Sequence, residues 1–181
     1  MTLDRTTWGY RRNAVDSSYL TIHELITVLA ETVSCGGNIL INIGPAANET
    51  ISMLQKERLR QLGDWLRVNG EAIYATKLWR YQNEAAVDVW YTSKKAGGVV
   101  NAVYAITLKW PTTGVLSLNN VTSTAETAVS MLGYTEGTFK WQDREAGGID
   151  IFVPPIRADK MPSTWALVFK LENLELAFDE T

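Results

Sequence analysis

The sequence predicts an α/β segment over residues 1–74, followed by an all-β antiparallel sandwich over residues 75–181. Ahead of residue 75, apolar residues recur with the period of a helix on both sides of one short apolar run. Beyond it, short runs rich in β-branched and aromatic residues alternate with turn residues, which is typical of a sandwich. With 46% hydrophobic residues, the chain of 181 residues can bury a core.

A capping box predicts where the first helix begins. Thr21 and Glu24 stand three residues apart, so each side chain can bond the other's backbone amide, and the helix should run to about Ser34. Gly36 and Gly37 should end it, because glycine adopts the left-handed backbone of a helix end at no steric cost. Helical spacing places these apolar residues on one buried face: Ile22, Leu25, Ile26, Leu29 and Val33.

Residues 39–43 form the short apolar run around which this segment is organised. Their apolar and β-branched side chains favour a strand that is buried on both faces, as in a parallel sheet. Asn42, Gly44 and Pro45 then turn the chain into a loop at the carboxyl end of that strand. In α/β folds this is the end at which ligand chemistry is found.

A second capping box, Ser52 with Gln55, predicts a second helix through about Val68. Asn69 and Gly70 should end it. Its inward face carries Leu59, Leu62, Trp65 and Leu66, and its polar face carries Lys56, Arg60, Asp64 and Arg67.

Seven short runs after Gly70 are predicted strands: 87–91, 99–110, 115–118, 129–132, 138–141, 149–153 and 165–171. Alternation is clearest in two of them, with Tyr104, Ile106, Leu108 and Trp110 on one face of the first and Trp165, Leu167, Phe169 and Leu171 on one face of the second. Most of the seven tryptophans and seven tyrosines are expected to fill this core, because large aromatic side chains dominate buried area.

Composition excludes several classes of function. A net charge of −3 argues against a nucleic-acid partner, which needs a basic face. One cysteine and one histidine exclude a disulfide framework and the usual zinc sites, so no metal is expected. The first residues are polar and lack a signal-peptide apolar region, and no stretch reaches membrane-spanning length. Asn48 and Asn120 begin glycosylation sequons that would be used only in a secreted context.

Isolated acidic residues favour structural roles. Asp16, Glu24 and Glu31 are expected to cap a helix or to lie on a solvated surface. Asp143, Glu145 and Asp150 surround the Gly147–Gly148 pair, and a polar hairpin turn is preferred over a calcium site because no EF-hand spacing is present.

The remaining reactive side chains also have plain structural interpretations. His23 is expected to be a half-exposed helix residue, since no serine, cysteine or aspartate motif accompanies it. Cys35 is expected to be a small buried residue at a helix end. Arg11 and Arg12 are too few for a nucleic-acid patch and are expected to lie on the surface or to form salt bridges.

Three motifs, in order along the chain, resemble the carboxyl-terminal part of animal α-L-fucosidases of glycoside hydrolase family 29. They are Trp8-Gly9-Tyr10, then Gly36-Gly37-Asn38-Ile39-Leu40-Ile41-Asn42-Ile43-Gly44-Pro45, and then Asn69-Gly70-Glu71-Ala72-Ile73-Tyr74. The resemblance covers nearly the whole chain and implies a (β/α)8-like catalytic barrel followed by a β-sandwich. On this basis residues 22–34 are a late helix of such a barrel, residues 39–43 its last strand and residues 53–68 its final helix.

The resemblance also implies which parts of a site this chain holds. A barrel needs around 250 residues, and only about 75 precede the sandwich, so we expect no closed barrel here. The family's two catalytic carboxylates lie in earlier segments, and therefore no catalytic residue is expected in this chain. Trp8, Tyr10, Asn42 and Gly44 are the candidates for the edge of a substrate pocket, and no cofactor is implied.

The implied function is that of a retaining exo-glycosidase that removes terminal α-L-fucose from fucosylated glycans, in lysosomes or outside the cell. This chain alone is expected to be inactive. Poor solubility or self-association is also expected unless the two helices fold back over strand 39–43, because that strand lacks a barrel neighbour and would expose apolar side chains. The alternative hypothesis is a non-catalytic β-sandwich that binds a partner protein or a glycan.

Overall fold

The computed structural model describes residues 1–175, which contain two α-helices and eight β-strands. The helices are α1 Ile22–Ser34 and α2 Met53–Asn69. The strands are β1 Lys77–Glu84, β2 Val89–Ala96, β3 Val99–Thr107, β4 Val115–Leu118, β5 Ala128–Met131, β6 Trp141–Asp143, β7 Ile149–Phe152 and β8 Leu167–Glu172. Short 3₁₀ turns occupy Asp16–Ser18, Gly70–Ala72, Ala85–Val87 and Ala158–Lys160.

Two antiparallel sheets and the helices form three layers. The larger sheet has the strand order β1-β2-β3-β8-β5, and the smaller has the order β4-β7-β6. Their facing side chains, among them Tyr91, Phe169 and Ile151, form one core. The helices cover the other face of the larger sheet, where the indole of Trp65 donates a 3.0 Å hydrogen bond to the carbonyl of Ala166. The predicted fold class is therefore confirmed. Tyr104, on a strand of the larger sheet, packs in the core that contains the helices, so the two predicted segments share this core. Their division at residue 75 therefore stays a prediction.

Both helices begin as their caps predict. Thr21 and Glu24 form the complete capping box, and Gly36 follows α1 with a φ of +78°. Ser52 accepts a bond from the amide of Gln55 at 3.3 Å. The Gln55 side chain does not return that bond, and its oxygen is buried with no hydrogen-bond partner among residues 1–175. Helix α2 ends at Asn69, as predicted, and Gly70 follows it with a right-handed backbone that leads into the 3₁₀ turn Gly70–Ala72.

The predicted strand over residues 39–43 is wrong. This segment is extended, but its only ladder contact within residues 1–175 is a single parallel bridge from Asn42 to Thr2. Leu40 is 69% exposed, so the segment is not buried on both faces. The reason is that the neighbouring residues 1–3 contribute a single bridge, whereas a regular strand needs a ladder of consecutive pairs.

The strands of the sandwich mostly follow the predicted runs. The run 115–118 coincides with β4, whereas the run 138–141 is displaced and β6 begins only at Trp141. Strand β1 was not predicted, because it is an edge strand whose side chains are mostly exposed, with only Trp79 and Glu84 buried.

The predicted alternation holds inside the strands and fails at their ends. Tyr104 and Ile106 of β3 face the helices, while Phe169 and Leu171 of β8 face the smaller sheet. Trp110 and Trp165 lie beyond the ends of these strands and pack against the opposite cores. The reason is that the pleat fixes side-chain direction only where the ladder continues.

Of two smaller predictions, the hairpin turn at Gly147 and Gly148 is confirmed and the burial of Cys35 is wrong. The polar turn between β6 and β7 is a hairpin in which Gly147 and Gly148 have φ of +88° and +84°, as predicted. Asp150 there accepts a 2.6 Å bond from Ser117 and pairs with Arg144. Cys35 is exposed and not buried, because it follows the last turn of α1 and lies outside that helix's apolar stripe.

Candidate functional site

The candidate site is built on a three-segment ribbon at the amino-terminal end of the chain. The amide of Asn42 donates to the carbonyl of Met1 at 3.0 Å, and the amide of Leu3 donates to the carbonyl of Asn42 at 3.3 Å. On the other side, the amide of Leu20 donates to the carbonyl of Leu3 at 3.0 Å. Leu3 is fully buried beneath the helices, so it anchors the ribbon to the core.

The structure brings the four predicted pocket residues together. The Asn42 side-chain amide donates to the carbonyl oxygen of Trp8 at 2.5 Å, across 34 positions of sequence. Gly44 lies against the same loop, since a Cβ at this position would stand 2.6 Å from the amide nitrogen of Tyr10 and 2.7 Å from the carbonyl carbon of Gly9. Glycine is therefore required by close backbone approach. We call residues 8–10 the aromatic loop.

Asp4 holds the aromatic loop from its other end. Its carboxylate accepts bonds from the amide and hydroxyl of Thr6 at 2.9 and 2.8 Å, and from Nε and Nη2 of Arg11 at 3.1 and 3.2 Å. Burial alone would raise the pKa of Asp4, but the bonds from Thr6 and Arg11 outweigh it and hold that pKa below its ordinary value. The salt-bridge expectation for Arg11 is thus confirmed.

The rings of the aromatic loop face outward. Trp8 is 60% exposed and Tyr10 is 46% exposed, although the backbone that carries them is fixed. Exposed rings on a fixed loop can stack on the apolar face of a sugar, while neighbouring amide groups can bond its hydroxyls. The arrangement offers recognition chemistry and no proton transfer.

The carboxylates bound beside this loop cannot act as general acids. Asp4 is ionised and paired, as described above. A hydrogen bond from Arg5, followed by those from Thr21, lowers the pKa of Glu24 from 4.5 to about 2. General acids of glycosidases instead need a raised pKa. Glu24 thus serves α1 as a cap, as the sequence predicts.

A further carboxylate pair lies on the helix side of the larger sheet, where Glu71 and Glu172 both bind Lys170, at 3.3 and 3.0 Å. Glu71 also accepts a 2.7 Å bond from the hydroxyl of Tyr104. Burial would raise the pKa of Glu71, but the bonds from Tyr104 and Lys170 lower it overall. Lys170 bridges the two carboxylates, and its bond with Glu71 attaches the 3₁₀ turn Gly70–Ala72 to the sheet.

Other functional side chains stay apart. Among residues 1–175, no three His, Cys, Asp or Glu side chains gather in a group that could hold a metal ion. His23 is exposed on α1, with Nδ1 3.3 Å from the carbonyl of Trp165. Neither helix in that part of the chain is both long and apolar enough to cross a membrane.

Two family models match the chain in sequence order. The model described as "Alpha-L-fucosidase" matches residues 1–71, and the model described as "Alpha-L-fucosidase C-terminal domain" matches residues 82–172. The chain belongs to the α-L-fucosidase family. All four pocket candidates lie within the first match, and every strand from β2 to β8 lies within the second.

Individual fucosidases agree with this assignment. The chain is 49% identical over 176 residues to the plasma α-L-fucosidase of Homo sapiens and 42% identical over 174 residues to the tissue α-L-fucosidase of the same organism. These alignments cover 96% of this chain but only 37% and 36% of the relatives, of which the chain matches the carboxyl-terminal part. The structure of Thermotoga maritima α-fucosidase in complex with fucose superposes with a TM-score of 0.78 at 29% identity, covering 94% of this chain and 38% of the other.

Sequence reasoning missed the residues that support the aromatic loop. Asp4 followed by Thr6 carries a weak local signal, because aspartate commonly bonds the backbone amide two residues on. The pairing of Asp4 with Arg11 carries no such signal, since it depends on how the loop closes.

Proposed function

We propose that the chain is the carboxyl-terminal part of a retaining exo-glycosidase that hydrolyses terminal α-L-fucose from glycoconjugates. The observation that carries the proposal is the match of both α-L-fucosidase family models, in order, to residues 1–71 and 82–172. The solved Thermotoga maritima relative, whose structure contains fucose, supports this choice of sugar.

Within that function, the aromatic loop forms one edge of the fucose pocket. Asn42 and Gly44 hold the backbone of the loop, so that the rings of Trp8 and Tyr10 project toward a bound sugar. Their role is to bind and to exclude water beside the scissile bond. No step of the chemistry is assigned to them.

Catalysis itself needs groups that we do not find at this loop. A retaining glycosidase uses two carboxyl groups about 5–5.5 Å apart, one as nucleophile and one as acid/base. Asp4 and Glu24, the carboxylates bonded into this region, are both ionised and engaged by arginine. We therefore propose that this chain alone turns over no fucoside.

The test joins this chain to the amino-terminal part of the human plasma relative and assays the chimera with a chromogenic α-L-fucoside. Turnover with retention, observed as the α-anomer of released fucose by proton NMR, is the expected result. A folded chimera that binds fucose but releases no chromophore would refute the proposal. Turnover by the unjoined chain would show instead that it carries its own catalytic carboxylates.

We further propose a lysosomal or extracellular location and a fucosylated glycan as substrate. The support for this location is the first sequon. Asn48 is exposed in a loop, and its side-chain oxygen accepts a 2.7 Å bond from the hydroxyl of Thr50. Asn120 is half-buried, and its backbone amide is bonded to Glu84, which leaves less room for a glycan there.

A further inference from the structure

A cleft lies on the open side of the sandwich, where the chain crosses from one sheet to the other. Strand β5 is an edge of the larger sheet and β6 is an edge of the smaller sheet, and residues 132–140 connect them. The amide of Phe139 donates to the carbonyl of Val129 at 2.8 Å, and the amide of Phe152 donates to the carbonyl of Lys140 at 2.9 Å. The crossing segment is therefore bonded to both sheets, which fixes the cleft wall.

Two depressions adjoin along this segment. One has a volume of about 450 Å³ and is lined by Tyr134, Phe152 and Pro154, among others. The other has a volume of about 380 Å³ and reaches Trp141 and Thr127. Residues 138–140 line both depressions, and each volume lies within the usual range of a small-molecule site, about 300–1,000 Å³.

Aromatic rings form the floor of the cleft and are held in place. The ring of Phe139 is buried and packs 5.4 Å from the ring of Tyr134 and 5.4 Å from that of Phe169. The indole of Trp141 donates a 3.0 Å bond to the carbonyl of Thr127. Phe152 remains 38% exposed on β7, so its ring is available for stacking.

The cleft carries little net charge. Glu136 pairs with Lys160 at 2.9 Å, so Lys140, exposed with Thr138 on the crossing segment, is a single additional cation. A phosphorylated ligand needs a concentration of positive charge, and a lipid would leave these polar groups facing hydrocarbon. A neutral sugar offers both an apolar C–H face for the rings and hydroxyls for the polar rim.

We propose that this cleft binds a neutral oligosaccharide at a site separate from the aromatic loop. The choice of ligand rests on the proposed function, because a fucosidase acts on sugar chains longer than fucose itself. Such a site would hold the remainder of a glycan, or a neighbouring branch, while fucose is removed elsewhere. Low affinity is expected, because an open cleft desolvates a ligand only partly.

The test is a titration of the ¹⁵N-labelled full chain with N-acetyllactosamine, a neutral disaccharide without fucose. Amide shifts should map to residues 138–140 and to Phe152, with a dissociation constant in the millimolar range. Phe152→Ala should weaken binding by about tenfold through the lost ring contact. Thr138→Val, which removes only a hydroxyl, should weaken it less.

Tyr81→Ala is the matched control, because Tyr81 is an exposed aromatic residue on β1, an edge strand at the other end of the larger sheet. It should bind the disaccharide as the unmodified chain does. Absence of shifts, shifts only from a sulfated disaccharide, or unchanged binding by Phe152→Ala would each overturn the inference. Phe152→Ala should leave hydrolysis of a small chromogenic fucoside by the chimera unchanged, so either proposal can fail without the other.

Discussion

Replacement of Glu84 tests how the two sheets are joined. This buried carboxylate ends β1 and accepts four hydrogen bonds, at 2.7 Å from the hydroxyl of Tyr91, at 2.9 and 2.7 Å from the backbone and side-chain amides of Asn119, and at 2.9 Å from the amide of Asn120. The donors come from β2 of the larger sheet and from the turn that follows β4 of the smaller sheet. Glu84 is therefore a polar link at one end of the sandwich.

The magnitude follows from which oxygen each donor uses. In Glu84→Gln, the new amino group fits best in place of the Oε1 atom, because the Tyr91 hydroxyl can rotate to accept a bond whereas the two donors on Oε2 cannot. The amide of Asn120 then loses its acceptor, and the other bonds lose their charge. With bonds to a charged group contributing about 1.5–3 kcal/mol, the expected loss of unfolding free energy is about 2–3 kcal/mol.

Two further variants set the scale. Glu84→Ala removes every acceptor and leaves a cavity, so it should cost about 4–5 kcal/mol. Tyr91→Phe removes one donor and should cost about 1–2 kcal/mol.

The assay is urea unfolding of the full chain, monitored by tryptophan fluorescence and by circular dichroism, with coincident transitions required for two-state treatment. Thr112→Ala, at an exposed turn, serves as a control with little expected effect. The reasoning is refuted if Glu84→Gln is as stable as the unmodified chain. That result would mean that relief from burying a charge offsets all four bonds.

Four other outcomes are expected. Gly44→Ala should destabilise the chain by about 1–3 kcal/mol in urea unfolding, because its Cβ meets the backbone of the aromatic loop. Glu24→Gln should lose at most about 1 kcal/mol relative to the unmodified chain, since that carboxylate is partly exposed. Because the folded-state pKa of Glu24 is lowered from 4.5 to about 2, this difference should be present above pH 4.5 and vanish as pH falls through 2 in acid titrations of stability. Peptide mass spectrometry of the chain expressed through a secretory pathway should find glycan on Asn48 and little on Asn120. Light-scattering chromatography should detect self-association of the chain, and Leu40→Ser should reduce it because that side chain is among the most exposed apolar groups.

Local signals predicted the helices well because their causes are local. Thr21 bonds the amide of Glu24 three residues away, and Gly36 takes the left-handed backbone immediately after α1. Strand β1 was not predicted, because backbone groups form its pairing with β2. Its polar and apolar side chains alternate too weakly to indicate a buried face. Residues 39–43 had the composition of a buried strand, yet composition does not supply the neighbours that make one.

The sequence named four candidate residues for a pocket, whose role stays a prediction, and it did not name the residues that support them. The resemblance to fucosidases named the aromatic loop and the loop after residue 41, and the structure places them in contact through Asn42 and Gly44. The contact of Asp4 with the aromatic loop could not be predicted, because it depends on hydrogen bonds from Arg11, on the far side of that loop. The role of Glu84 is equally hard to predict, because its donors come from separate parts of the chain and meet only in the folded structure.

The supports of the aromatic loop all lie inside this chain, and this separates positioning from chemistry. Asn42, Gly44 and Asp4 fix the backbone of residues 8–10 by contacts that need no other part of a barrel. The rings of Trp8 and Tyr10 are less restrained than this backbone, because they are 60% and 46% exposed. If the loop has the proposed role, its backbone is in place before a sugar binds, whereas the orientation of its rings is fixed only when the sugar and the opposite wall confine them. On that proposal, sugar recognition would depend on the opposite wall of the pocket, although the position of the loop backbone does not.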